Sequence, residues 1–162
     1  MTLPPLGLPS LPVSPEQRIY ESVIEHVTSD ALLSSVVQSW THTPFSFAPP
    51  PIQKLPMIRI EAGAGSIDTQ TMTTDRNSMM IGFVLTVANG DHRDLMNLWS
   101  ALRACIKVHH DDWLASALHG VHDFTYGGMM WRQAAITYQP IAETRALEST
   151  AVLEIYYRIK DC

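Results

Sequence analysis

The stretch SMMIGFVLTVANGDHRDLMNLWSALRACIKVH, residues 78–109, decides the fold. Met79, Ile81, Phe83, Leu85 and Val87 alternate with Met80, Gly82, Val84 and Thr86. This period of two predicts a strand with one strongly apolar face and a second face that is also mostly non-polar. Asn89-Gly90 breaks the strand. Asp91 follows as an N-cap, with Asp94 three residues on, where negative charge favours a helix start. Leu95, Leu98, Trp99, Leu102, Cys105 and Ile106 then recur at spacings of three and four. That draws one apolar stripe along a helix of about five turns. The strand hides its apolar face only if something covers it, and this helix is the nearest cover.

Upstream, Ser14-Pro15-Glu16-Gln17 opens another helix. Ser14 caps, Pro15 suits the first helical position, and Gln17 completes a capping box. Ile19, Tyr20, Val23, Ile24 and Val27 share its apolar face. Thr28-Ser29-Asp30 interrupts, and a second short helix carries Leu32, Leu33, Val36, Val37 and Trp40 on one side. Residues 41–55, THTPFSFAPPPIQKL, read as a linker too rich in proline for regular structure. In residues 56–61, Met57, Arg59 and Glu61 alternate against Ile58 and Ile60, which predicts a strand. Residues 62–76, AGAGSIDTQTMTTDR, are small and polar and lack periodicity. They predict a long connection or, through the β-propensity of the Thr/Gln/Met stretch, an extension of a hairpin.

Downstream, Asp111 predicts the cap of a short helix holding Trp113, Leu114, Ala117 and Leu118, ended by Gly120. Residues 121–126 and 129–138 read as strands joined by a Gly127-Gly128 hairpin turn. In the last strand Leu147, Ala151, Leu153, Ile155, Tyr157 and Ile159 share one face. Glu148, Thr150, Glu154, Arg158 and Lys160 line the other, a face that is wet or packed on another subunit. The order α-α-β-β-α-β-β-β, with helices on one side, defines an α+β two-layer domain whose mostly antiparallel sheet is packed by amphipathic helices. Its expected bounds are residues 14–162. Residues 1–13, MTLPPLGLPSLPV, form a proline-rich arm that is neither helix nor central strand. Leu3, Leu6, Leu8 and Leu11 equip it for a partner or a neighbouring subunit; a loose tail is the plainer alternative.

With 162 residues the chain can bury a sizeable core. Only 17% of residues are charged against 46% hydrophobic, which hints at surface covered by other subunits, although a monomer with a Ser/Thr surface has the same composition. The net charge of −5 argues against a basic nucleic-acid-binding face. Two cysteines, Cys105 on the apolar stripe and Cys162 at the last position, make neither a disulfide framework nor a metal spacing. No secretory signal and no run of about 20 apolar residues is visible, so manufacture and use in the cytoplasm, or in a particle assembled there, is expected.

Candidate chemistry is sparse. His109, His110, Asp111 and Asp112 are consecutive, with His119, His122 and Asp123 close behind. Adjacent residues on a helix point about 100° apart, so the four cannot converge on one ion. A solvated helix junction, with histidine at a C-terminus and aspartate at the next N-terminus, explains them better. A small metal-dependent hydrolase built on His109, His110, Asp111, His119 or His122 stays as an alternative, as does a small-ligand binding module. No G-x-S-x-G elbow, phosphate loop or dinucleotide fingerprint is present. No catalytic residue, cofactor or metal is expected, and the chain reads as a non-enzyme.

The layout resembles the tail terminator, or tail completion, proteins of long-tailed bacteriophages over about residues 15–160. The resemblance lies in the amphipathic first helix, the strand at Leu55–Glu61, the long polar loop and the strand Met79–Asp91 running straight into a helix. The closing antiparallel strands ending at Leu153–Ile159 complete it. It implies a virion structural protein at the tail–neck junction, assembled in the host cytoplasm. Copies would close into a ring, a hexamer, on the major tail tube protein. The ring would end tube growth and offer a docking surface to the head-completion or connector protein, and DNA would pass through its lumen without specific binding. A neck or other minor tail component is the alternative within the same class. The resemblance also implies an assembly loop at Asp68, Thr69, Gln70, Thr71, Thr73, Thr74, Asp75 and Arg76. The arm at 1–13 is longer than the family pattern leads one to expect.

Overall fold

The structure is a computed structural model. It describes residues 14–42, 54–71, 74–88, 92–118, 124–141 and 146–160, and for 64–71, 74–75, 133–141 and 160 the backbone alone. The elements in chain order are α1 (Pro15–Thr28), α2 (Ala31–Val36), β1 (Ser39–Thr41), β2 (Met57–Thr71), β3 (Thr74–Val87), α3 (His92–Lys107), α4 (His110–Leu118), β4 (Phe124–Ile141) and β5 (Ala146–Lys160). The strands form one sheet in the order β1-β2-β3-β5-β4. Only β1 and β2 run parallel, and every other pair is antiparallel. This is the expected α+β, two-layer arrangement.

The central strand and its helix behave as their periodicity dictates. Met79, Ile81, Phe83, Leu85 and Val87 are buried under Leu95, Leu98, Trp99, Leu102, Cys105 and Ile106. Antiparallel pairing sets Ile155, Leu153 and Ala151 of β5 opposite Met79, Ile81 and Phe83, which extends the apolar face sideways. Ile19, Val23 and Val27 of α1, Leu33 of α2, and Leu114 and Leu118 of α4 close the same core. Tyr157 is 1% exposed, and its hydroxyl donates to Glu16 in the first turn of α1, tying that helix to the last strand.

Several local expectations change. Ser14 caps α1, accepting from the Gln17 amide at 3.1 Å, but the Gln17 side chain donates forward to Glu21 at 2.8 Å and does not close a capping box. Helix α2 stops at Val36, and Trp40 lies in the short strand β1. The segment 62–76 is a hairpin extension and not a loop, since β2 and β3 stay paired out to Thr71↔Thr74. Gly127-Gly128 does not turn the chain. Gly128 sits at φ +113° in a bulge, and β4 runs through it as one strand. The short helix expected after α3 is present as α4, but it begins at His110, so Asp111 lies in its first turn and does not cap it. Most of the linker at 41–55, the arm at 1–13, and Thr73, His119 and His122 lie outside the described residues.

Candidate assembly surface

The hairpin residues expected to form an assembly loop converge on one end of the sheet. Asp68 pairs with Arg76, Thr69 with Asp75 and Thr71 with Thr74, while Gln70 falls at a register shift between them. β5 runs alongside to the same end, where Lys160 pairs with Thr74, Ile159 with Asp75 and Arg158 with Arg76. The hairpin tip is thus one edge of a three-strand platform.

The sheet face away from the helices divides into two halves. Toward the β3 C-terminus it is buried, with Val84 4% and Thr86 1% exposed. Toward the hairpin tip it is open. Met80, Gly82, Val152 and Tyr156 are half-buried there, and Met130, Arg132, Arg76 and Arg158 are exposed. At its β4 edge Met130 also lines a hollow with Ser100, Arg103 and Lys107 of α3.

A polar cluster sits at its centre. Arg132 reaches across from a bulge of β4, its Nε donating to the Glu154 carboxylate and its Nη2 to the Tyr156 hydroxyl at 2.6 Å. The Tyr156 hydroxyl donates to Glu154 Oε2 at 2.9 Å. Glu154 is only 5% exposed. Burial acts to raise its pKa, but hydrogen bonds from Arg132, Tyr156 and Ser78 outweigh it and hold the carboxyl below its ordinary value. The same bonds raise the pKa of the Arg132 guanidinium. The Arg76 guanidinium lies over the Tyr156 ring at 5.3 Å, a cation–π contact. Arg76 and Arg158 stand directly opposite each other across β3 and β5. Like charges in directly opposed positions destabilise a sheet. Besides Glu154, the register sets Glu61 opposite Gly82 and Asp68 opposite Arg76 on this face.

The sequence placed Glu154 and Arg158 on a polar face but did not join Glu154 to Arg132. Arg132 alternates outward from Trp131 in the sequence, yet its partner follows only from the strand register.

The histidines are occupied locally. His109 takes a left-handed backbone at φ 53° and ends α3. Its carbonyl accepts from the Asp112 and Trp113 amides, and so starts α4. His110 Nδ1 lies 2.9 Å from the Tyr126 hydroxyl, whose pKa is pushed up to about 12 by burial and by the charge of Asp111. Among the described residues no group of three or more His, Cys, Asp or Glu is placed to hold a metal ion. Burial, followed by the neighbouring Asp30 carboxylate, pushes the Cys105 thiol up to about 12. Among the described residues no helix is long and apolar enough to cross a membrane.

No family model matches the chain, and no curated protein matches it. Among solved structures it is similar to a chain in "Virion of native gene transfer agent (GTA) particle". The two are 14% identical, the match covers 87% of this chain and 92% of that one, and the TM-score is 0.47.

Proposed function

We propose that the chain is a virion structural protein of the tail terminator kind. Copies close into a hexameric ring on the major tail tube protein, stop its polymerisation and present the opposite face to the head-completion protein. DNA passes through the hole without specific binding.

One observation carries the reading. The open half of the second sheet face keeps the Arg76–Arg158 pair, Arg132 and the 49% exposed Met130 at the surface. An isolated domain gains nothing from opposed like charges or an exposed methionine, whereas a subunit interface uses both. The complementary surface is formed by α1 and α4, while α3 in the same layer exposes Arg93, Arg103 and Lys107 against Asp94. On α1 and α4, Glu21, Glu25, Asp111 and Asp112 are exposed, against Arg18 alone. A contact between these two different surfaces is head-to-tail, the type that closes a ring when the rotation allows. In this reading the hairpin end, Asp68–Arg76, meets the tube.

The test is light scattering after gel filtration across protein concentrations, followed by electron microscopy with purified tail tube protein. A mass near six chains, or capped tubes of fixed length, is expected. A chain that stays monomeric and leaves tube length unregulated overturns the proposal.

A further inference from the structure

A hollow of about 540 Å³ lies between α3 and the edge strand β4. Arg103 and Lys107 of α3 and His110 of α4 form its cationic wall, and Met129, Met130 and Trp131 its apolar one. No acid is among its described lining residues. Two neighbouring carboxylates are engaged elsewhere. Asp111 lies 3.1 Å from the His110 ring, and Glu154, opposite Met130 in the register, accepts from Arg132 and Tyr156. The Arg103 guanidinium leans on the Trp99 ring, and Lys107 has no side-chain partner among the described residues.

We propose that this hollow receives helix α1 of a second copy of the chain, with Glu21 and Glu25 set against Arg103 and Lys107. Charge and spacing select that occupant. All four side chains are exposed. Each pair is four residues apart on its helix, a separation of about 5–6 Å, so one approach forms two ion pairs. Arg18, the exposed cation of α1, leaves this ridge net negative. The acids of α4 offer no such pair. Asp111 and Asp112 are adjacent, about 100° apart round the helix, and already lie beside His110 and His109. Met130, 49% exposed and unbranched, fills the gaps left beside the incoming helix.

The chain cannot make this contact with itself. Its own α1 meets α3 at Cys105, whose carbonyl accepts from His26 at 2.9 Å. Arg103 and Lys107 stand two positions to either side of Cys105, on the far side of α3. Glu21 and Glu25 line a separate hollow between α1 and α4, which shares no described residue with the one between α3 and β4. Two copies joined in this way use different surfaces, so the contact is head-to-tail. It deepens the proposed ring and rests on that reading: Met130 belongs both to the hollow and to the open sheet face, and one neighbour covers both.

The experiment measures association of the full chain by sedimentation, with and without tail tube protein, for the wild type and three charge-reversed variants. One carries Glu21→Lys with Glu25→Lys, one carries Arg103→Glu with Lys107→Glu, and the third carries all four changes. The positions are exposed, so equal melting temperatures are expected and confirm that each variant folds. Each double reversal weakens association by about tenfold or more, and the fourfold variant regains it. Added salt weakens the wild type. Association untouched by both double reversals overturns the proposal and leaves the ring standing. Loss in both without recovery in the fourfold variant also overturns it, because the two surfaces then do not meet. Recovery with a mass other than six chains and no capped tubes keeps this contact and removes the ring. A chain monomeric at every concentration, tube present or absent, overturns both.

Discussion

The His26 imidazole lies flat on the Trp113 indole, with ring centroids 4.2 Å apart and planes 9° from parallel. His26 Nε2 also donates to the Cys105 carbonyl at 2.9 Å. One side chain of α1 thereby holds α4 through stacking and α3 through a backbone bond. His26→Ala removes both contacts and is expected to cost about 1–3 kcal/mol in urea or guanidinium denaturation. A loss within the scatter of ordinary surface substitutions would show that the stack merely accompanies helix packing.

The Cys105 thiol supplies a pH dependence. Its folded value is raised from 9.0 to about 12, chiefly by burial. Its contribution to stability is therefore complete below the unfolded value and fades as pH rises from about 9 toward 12. Unfolding curves measured from pH 7 to 11 should decline over the upper part of that range. Cys105→Ala should flatten the decline without abolishing it, because Tyr126 and Tyr157 are shifted upward as well. In a Cys162→Ser background, a thiol reagent at pH 8 should label Cys105 only on unfolding.

Glu154 acts at the other end of the scale. Its folded pKa is lowered, so its contribution is present above the ordinary value of 4.5 and lost as pH falls below it. Glu154→Gln should flatten the acid limb of the stability curve. Arg132 and Tyr156, left without a carboxylate, should gain mobility detectable in side-chain NMR.

Two glycines test the backbone of the platform. A Cβ at Gly63 would lie 3.0 Å from the Met80 carbonyl oxygen, and Gly128 sits at φ +113°. Gly128→Ala should cost about 1–2 kcal/mol from backbone strain alone. Gly63→Ala should cost a similar amount by pushing β2 off β3. Equal melting temperatures for wild type and either variant would contradict the strand geometry.

The opposed arginines separate stability from assembly. Arg158→Thr relieves repulsion with Arg76 and should stabilise the isolated chain by about 0.3 kcal/mol or more. If the open sheet face is a subunit contact, the same change lowers the associated mass in light scattering. A variant that gains stability and associates as before would remove the arginines from the interface.

What was legible in the sequence follows from where the forces are local. α3 and the core half of β3 were read correctly because a single apolar period runs through each. The outer hairpin was not fixed in advance, because the register shift between Ala62 and Gly65 reverses the side-chain parity of β2 and erases any period. Gly127-Gly128 misled for a physical reason. A positive φ serves a bulge as well as a tight turn, and only the partner strand distinguishes them. Trp40 was assigned to a helix face although its partner is Ile58 of a parallel neighbour. The Glu154 cluster joins residues from β3, β4 and β5, and no spacing along the chain encodes it.

The sheet order also dictates when this protein can exist. β3 lies between β2, made just before it, and β5, made after α3, α4 and β4. Val87 pairs with Leu147 and Thr74 with Lys160, so the central strand keeps one side unsatisfied until β5 is available. Such distant pairing slows folding and leaves an open strand edge meanwhile. The growing polypeptide therefore carries its central strand half-paired while residues 88–145 are made. A chain truncated before β5 should be a substrate for chaperones and proteases.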